Sequence, residues 1–129
     1  MRLLLDTNRY GDVVNRDREV IERLQVATEV WLPLVALGEI RTGFALGSRR
    51  SANERRLAEF LQFQGVGVLL PDEETARHYA EIAADLRRRG SPIPTNDIWI
   101  AAAALQHNLT LDTRDEHFRK VSGLKLWRD

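Results

Sequence analysis

Short apolar runs, each stopped within a few residues by a charge, a proline or a turn residue, alternate along this chain with segments of helical periodicity. Runs that short are too brief for buried helices and read as buried strands. Arg2–Leu5 ends at Asp6, Glu29-Val30-Trp31-Leu32 is stopped by Pro33, and Val66 to Leu70 is stopped by Pro71. Leu109-Thr110-Leu111 follows Asn108, and Lys125-Leu126-Trp127 is the last such run. Between them, Val20, Ile21, Leu24 and Ala27 recur at helical spacing, so a helix is expected from Asp17 to Ala27. A second should run from Leu34 to Leu46, closed by Gly47, with polar connections at Thr7 to Asp12 and Gly90 to Pro94. Ser51-Ala52-Asn53-Glu54 has the form of a capping box, opening a helix whose apolar stripe is Leu57, Phe60 and Leu61. Asp72 is placed to cap a long helix to about Arg89. A further helix opens at Thr95 or Asn96 and runs through Ile98, Ile100, Ala101 and Ala104 to His107, and a helical turn spans Asp115 to Lys120. Strands that alternate with helices make an α/β fold around a mostly parallel sheet. At 129 residues the chain fits one domain, residues 1–129.

Composition narrows the chemistry. There is no cysteine, which excludes disulfides and thiolate metal sites. No segment approaches the roughly 20 apolar residues of a membrane span, and the opening leucines are cut short by Asp6, so a soluble, cytoplasmic protein is expected. Formal net charge is zero, so the global excess of positive charge that marks many nucleic-acid binders is missing. The basic residues are nevertheless clustered, and only Lys120 and Lys125 are lysines. Arg49, Arg50, Arg55 and Arg56 form one group and Arg87, Arg88 and Arg89 another. Arginine's planar fork suits phosphate, although such clusters also serve as solvated helix faces.

Four acids stand where acids are not expected. Asp6 ends the first strand, at the kind of sheet edge where open α/β folds bind ligands. Asp115 lies just past the Leu109–Leu111 strand and can reach the same edge. Asp97 falls in the first turn of an apolar helix, and Glu39 interrupts the apolar pattern Leu34, Val35, Leu37, Ile40. Each has a plainer role open to it: Asp6 or Asp115 as a helix cap, Asp97 as a first-turn carboxylate, Glu39 as a solvent-facing side chain. Convergent, they cannot all ionise without a counter-charge. Oxygen donors favour Mg²⁺ or Mn²⁺ as that charge, and such a site can hydrolyse a phosphodiester. The three histidines show no metal-ligand spacing, and no phosphate-binding glycine loop or nucleophile elbow is present. The tryptophans suit core or interface better than base stacking.

The ordered acids lie in segments that resemble the motifs of PIN-domain ribonucleases, above all the VapC-type toxins. Leu3-Leu4-Leu5-Asp6-Thr7-Asn8 resembles the first motif, Glu39-Ile40-Arg41-Thr42-Gly43 the second, and Asn96-Asp97-Ile98-Trp99-Ile100-Ala101-Ala102 the third. Leu111-Asp112-Thr113-Arg114-Asp115-Glu116-His117-Phe118 resembles the fourth. The resemblance spans essentially the whole chain. It implies a PIN-like three-layer α/β/α sandwich with a mostly parallel central sheet and an Mg²⁺- or Mn²⁺-dependent endoribonuclease. It further implies that Asp6, Glu39, Asp97 and Asp115 bind the metal, with Thr113 as a supporting hydroxyl and Asn8 as a supporting amide. Arg49 and Arg50 would then steer the RNA backbone. A homodimer silenced by a VapB-like antitoxin, seated in a hydrophobic groove near the site, is also implied. The chain departs from the pattern at Arg9 and Tyr10, where aliphatic residues are commoner, and at Asp112, where a small or apolar residue is. Asp112 either points to the opposite side of the strand or adds an acid that alters metal affinity, and because strand neighbours alternate faces the first is expected.

Other classes fit less well. A non-catalytic PIN-like module that binds RNA or protein would usually have lost an acid. A haloacid-dehalogenase-type phosphatase wants a second acid two residues after Asp6, where this chain has Asn8, and a receiver domain wants paired acids and a well-placed lysine.

Overall fold

The structure is a computed structural model, and residues 1–127 are described. Four strands, β1 (Arg2–Leu5), β2 (Glu29–Pro33), β3 (Val66–Leu69) and β4 (Thr110–Asp112), form one sheet in the order β3-β2-β1-β4. Every pairing is parallel. The α-helices are α1 (Thr7–Val14), α2 (Arg18–Val26), α3 (Leu34–Leu46), α4 (Arg50–Leu61), α5 (Glu73–Arg88) and α6 (Thr95–His107). A 3₁₀ turn follows over Glu116–Lys120.

Alternation along the strands sends side chains into two separate cores. Leu4, Trp31 and Leu111 join α5 and α6 on one face, with Ile82, Leu86, Ile98, Ile100 and Ala101. Leu5, Val30 and Leu32 join α1, α3 and α4 on the other, with Tyr10, Leu37, Ile40, Leu57 and Phe60. Helices therefore cover both faces of a parallel sheet, as parallel strands require. The sheet has one reversal of direction. The chain steps outward from β1 to β2 to β3, then returns to place β4 on the free side of β1. The carboxyl ends of β1 and β4 thus flank the switch point, where open α/β sheets form their ligand sites.

Most expected elements are present, with ends moved by a residue. Asp72 caps α5 in a reciprocal capping box with Thr75, and Asn108 ends α6 in the left-handed conformation at φ 54°. Three local expectations are corrected. Thr7 to Asp12 is helical, not an open connection: Asp6 caps it by accepting from the Thr7 amide, and Arg9 and Tyr10 are its buried residues. Ser51 to Glu54 is not a capping box. The helix starts earlier, at Arg50, with Arg49 in the cap position and no side-chain cap bond, and Glu54 accepts from Arg41 of α3 at 3.2 Å instead. Lys125 to Trp127 forms no regular strand among the described residues. Leu126 makes an isolated parallel bridge to Leu111, held by hydrogen bonds from Leu111 to the Lys125 carbonyl and from Trp127 to the Leu111 carbonyl.

Candidate active site

The site is built outward from Asp6. Leu3, Leu4 and Leu5 are fully buried in the central strand, so the chain leaves the sheet with Asp6 fixed at its carboxyl end and only 5% exposed. Its amide donates to the Asp112 carbonyl at 3.1 Å, locking the two strand ends together. One carboxylate oxygen accepts from the Thr7 amide at 2.8 Å. The other accepts from the Thr113 hydroxyl at 2.7 Å. That same hydroxyl accepts from the Asp115 amide at 3.0 Å, so Thr113 ties the two acids to one loop.

From the opposite side, the first turn of α6 delivers Asp97, and the 3₁₀ turn delivers Asp115 as its cap. His117 lies between them, with Nδ1 3.2 Å from Asp97 Oδ2 and 3.0 Å from Asp115 Oδ1. Asp97, Asp115 and His117 each offer a ligand atom within 4.8 Å of the others. Glu39 is exposed on α3 and stands outside that triple; it reaches the first motif through the Thr7 hydroxyl, which donates to Glu39 Oε1 at 3.0 Å. Asn8 is exposed, and its carbonyl accepts from Arg114 at 3.5 Å. Arg49 and Arg50 are exposed at the start of α4.

The electrostatics are those of crowded, dry carboxylates. Burial pushes the Asp6 carboxyl above its ordinary pKa, against the hydrogen bonds from Thr113 and Thr7, and the charge of Asp115 adds to the rise. Burial likewise raises Asp97; the His117 contact opposes this, and the charges of Asp6 and Asp115 reinforce it. Both groups would release their protons more readily beside a cation. With carboxylate oxygens and one imidazole as donors, the set fits a divalent metal ion.

The two departures at Arg9 and Asp112 explain each other. Asp112 pairs in register with Leu5 and so faces α1 and α2, not the acids. There it is completely buried and accepts from Arg9 Nε at 2.9 Å and from Arg23 Nε and Nη2 at 2.9 and 3.0 Å. The sequence reading had Asp112 on the right face but missed both arginines, because nothing local to residues 9 and 23 marks them as buried. It also passed over His117, since the spacing rules for metal sites do not apply to ligands brought together by separate elements. Its place within the fourth motif was the available signal.

Comparison with known proteins agrees with this geometry. Residues 3–124 match the family model described as "PIN domain". Ribonuclease VapC1 of Haemophilus influenzae is 32% identical over 100% of this chain and 98% of its own length. The structure of VapBC-1 from nontypeable Haemophilus influenzae superposes with a TM-score of 0.88 at 26% identity, covering 98% of this chain and 97% of that one. VapBC-5 of Mycobacterium tuberculosis, described as a member of the VapBC family of toxin-antitoxin systems, gives 0.74 at 25% identity over 100% of both chains. With its all-parallel sheet, its acids at the β1–β4 switch point and this full-length similarity, the chain belongs to the PIN-domain family, among the VapC ribonucleases.

Proposed function

We propose that this chain is the toxin of a type II toxin–antitoxin pair, an endoribonuclease that hydrolyses RNA phosphodiester bonds with Mg²⁺ or Mn²⁺. The observation that carries this is the gathering of Asp97, Asp115 and His117 within 4.8 Å of one another at the sheet's switch point, with Asp6 tied to Asp115 through Thr113. Asp97 and Asp115 would hold the metal directly, with Asp6 beside them and Glu39 entering from α3. A divalent cation bound there supplies charge neutralisation for the scissile phosphate and an acidified water as nucleophile. The chain's own residues do the rest. Thr113 fixes Asp6 and Asp115 in one orientation, Thr7 bridges Asp6 and Glu39, and the buried end of β1 holds Asp6 at the sheet edge. Asn8 and the Arg49–Arg50 pair are assigned supporting and RNA-steering roles.

The apolar groove offered for the antitoxin lies at the amino ends of β2 and β3, on the sheet face opposite α5 and α6, and not beside the acids as expected from the resemblance. A cleft of about 420 Å³ opens between α1, α2, α4 and β3, lined by Val13, Ile21, Leu24, Phe60 and Phe63 among others. Phe63 is 66% exposed, and in the adjoining depression the Tyr10 hydroxyl is buried without a hydrogen-bond partner among the described residues. An apolar antitoxin segment would cover the cleft together with Phe63. A homodimer is the proposed assembly, supported by the exposed Leu34 and Leu46 at the two ends of α3. No described helix is long and apolar enough to cross a membrane, and an RNA substrate places the reaction in the cytoplasm.

The test is cleavage of a structured RNA pool with Mg²⁺, Mn²⁺ or chelator, beside Asp6→Asn. Metal-dependent cutting that disappears in the variant is the expected result. Cutting that persists in chelator or in Asp6→Asn would remove the proposal.

A further inference from the structure

A second cleft, about 360 Å³, begins where the acidic centre ends. Asp115 and Thr113, both part of the acid cluster, form one wall. Arg9, Arg114 and Arg119 supply positive charge, and Trp127 with Leu126 supplies an apolar surface. None of these cations and neither apolar residue belongs to the acid cluster.

The composition of the cleft selects its occupant. A site crowded with carboxylates repels a polyanion, so cations must meet the phosphates on either side of the reacting one. The exposed arginines of this cleft are held loosely enough to do so. Arg119 pairs with Glu116 one turn away, and Arg114 pairs with Asp12 at 3.1 Å; both arginine side chains are 56% exposed. The Arg119–Glu116 pair is exposed on both sides and exchanges readily for a phosphate, and Arg114 can turn to one because Asp12 keeps Arg9. Arg9, by contrast, is held by Asp112 and Asp12 and forms a fixed floor whose charge is already paired. Trp127 is fixed as well. Its amide is bonded to the Leu111 carbonyl at 2.9 Å, and the Arg23 guanidinium lies 5.0 Å from its ring centroid. Its indole nitrogen is buried without a partner among the described residues, so what Trp127 offers the cleft is ring surface; against the expectation that the tryptophans serve core or interface, such a surface beside arginines is one on which an unstacked base can stack. An acidic peptide would use the arginines but has no need of the indole.

We propose that this cleft is the subsite for the nucleotide flanking the scissile phosphate, with Trp127 stacking on its base and Arg114 and Arg119 holding its phosphate. The assignment rests on the ribonuclease reading above and adds to it the residues that seat the RNA. Stacking is indifferent to base identity at first order, so this subsite supplies affinity and register more than sequence choice.

The experiment measures binding of a fluorescein-labelled random decaribonucleotide pool to the full chain by anisotropy, over a salt series with Mg²⁺. Asp6→Asn is the background, so that the RNA stays intact. Trp127→Ala should weaken binding about 5- to 150-fold, with Trp127→Phe recovering much of the loss. Arg114→Gln and Arg119→Gln should each weaken binding and lower the slope of log affinity against log salt by about 0.7, the value for one single-strand phosphate contact. Arg119 is exposed, so its variant tests the idea even if Trp127→Ala folds poorly. Mn²⁺ titration should be unchanged in the arginine variants. Unaltered RNA affinity and salt slope in folded variants would overturn the subsite, and a simultaneous loss of antitoxin binding would reassign the cleft to protein. If the chain with intact acids still cuts RNA under metal, only the subsite has failed. If it neither cuts nor binds RNA, the ribonuclease reading fails with it.

Discussion

Asp112→Ala should be among the most damaging single substitutions available in this chain, although Asp112 is no part of the acid cluster. Its carboxylate is 0% exposed and accepts three hydrogen bonds from two arginines that are each 6% exposed. Removing it takes their shared carboxylate from two buried cations, a class of change that costs about 3–5 kcal/mol. Partial compensation places this case at the lower end. Arg9 keeps Asp12 at 3.2 Å and the Thr113 carbonyl at 3.5 Å, and Arg23 keeps the face of Trp127. A loss of about 3 kcal/mol follows, against the total of roughly 5–15 kcal/mol that single domains possess. For a domain of this size that is a fall in Tm of roughly 10 °C. Urea and thermal unfolding followed by circular dichroism, in chelator so that metal binding does not intrude, measure it directly. The triple variant Arg9→Leu, Arg23→Met, Asp112→Val removes all three charges together while Asp12 keeps Arg114, and it should be more stable than Asp112→Ala. A loss below about 1 kcal/mol in Asp112→Ala would refute the reasoning, as would a triple variant no more stable than the single one.

The acid cluster gives a prediction of opposite sign. Because the folded-state pKa of Asp97 is raised above 3.8, the folded chain holds that proton more tightly than the unfolded chain. In chelator, stability is therefore undiminished below pH 3.8 and falls as pH rises through the raised value. Asp97→Asn should melt higher than the original chain at pH 7 in chelator, lose that advantage near pH 3, and gain less from added Mg²⁺; equal melting points at pH 7 would tell against a convergent pocket. His117→Gln should weaken Mn²⁺ more than Mg²⁺ in calorimetric titrations, since imidazole favours the softer ion. Equal losses would assign His117 to holding the carboxylates alone. Arg49→Ala with Arg50→Ala should weaken RNA binding and flatten its salt dependence; an unchanged slope would return both to a solvated helix face.

The sequence by itself determined the class of fold and marked the acids from which the candidate site is built. Short apolar runs alternating with helical periodicity leave few arrangements other than a parallel sheet covered on both faces, and β1, β2, α2, α3, α5 and α6 lie close to where the pattern places them. Local rules sufficed there because each element's apolar period matches the face it buries. The ordered acids were legible for a related reason, since a carboxylate at a strand end or in the first turn of an apolar helix conflicts with its surroundings. Tertiary structure decided the rest. Thr7–Val14 is helical because Asp112 of β4 and Phe60 of α4 receive its Arg9 and Tyr10, partners respectively 103 and 50 positions away. The Ser51 cap failed because the cap position falls two residues earlier, at Arg49, and Glu54 is claimed by Arg41 from α3. Asp6 and Asp115 meet only because β4 returns to the free edge of β1, and His117 and Trp127 acquire chemical neighbours by the same closure. Periodicity records which face of an element is dry. It does not record which distant charge or ring will cover that face, because that pairing is settled only when the sheet closes.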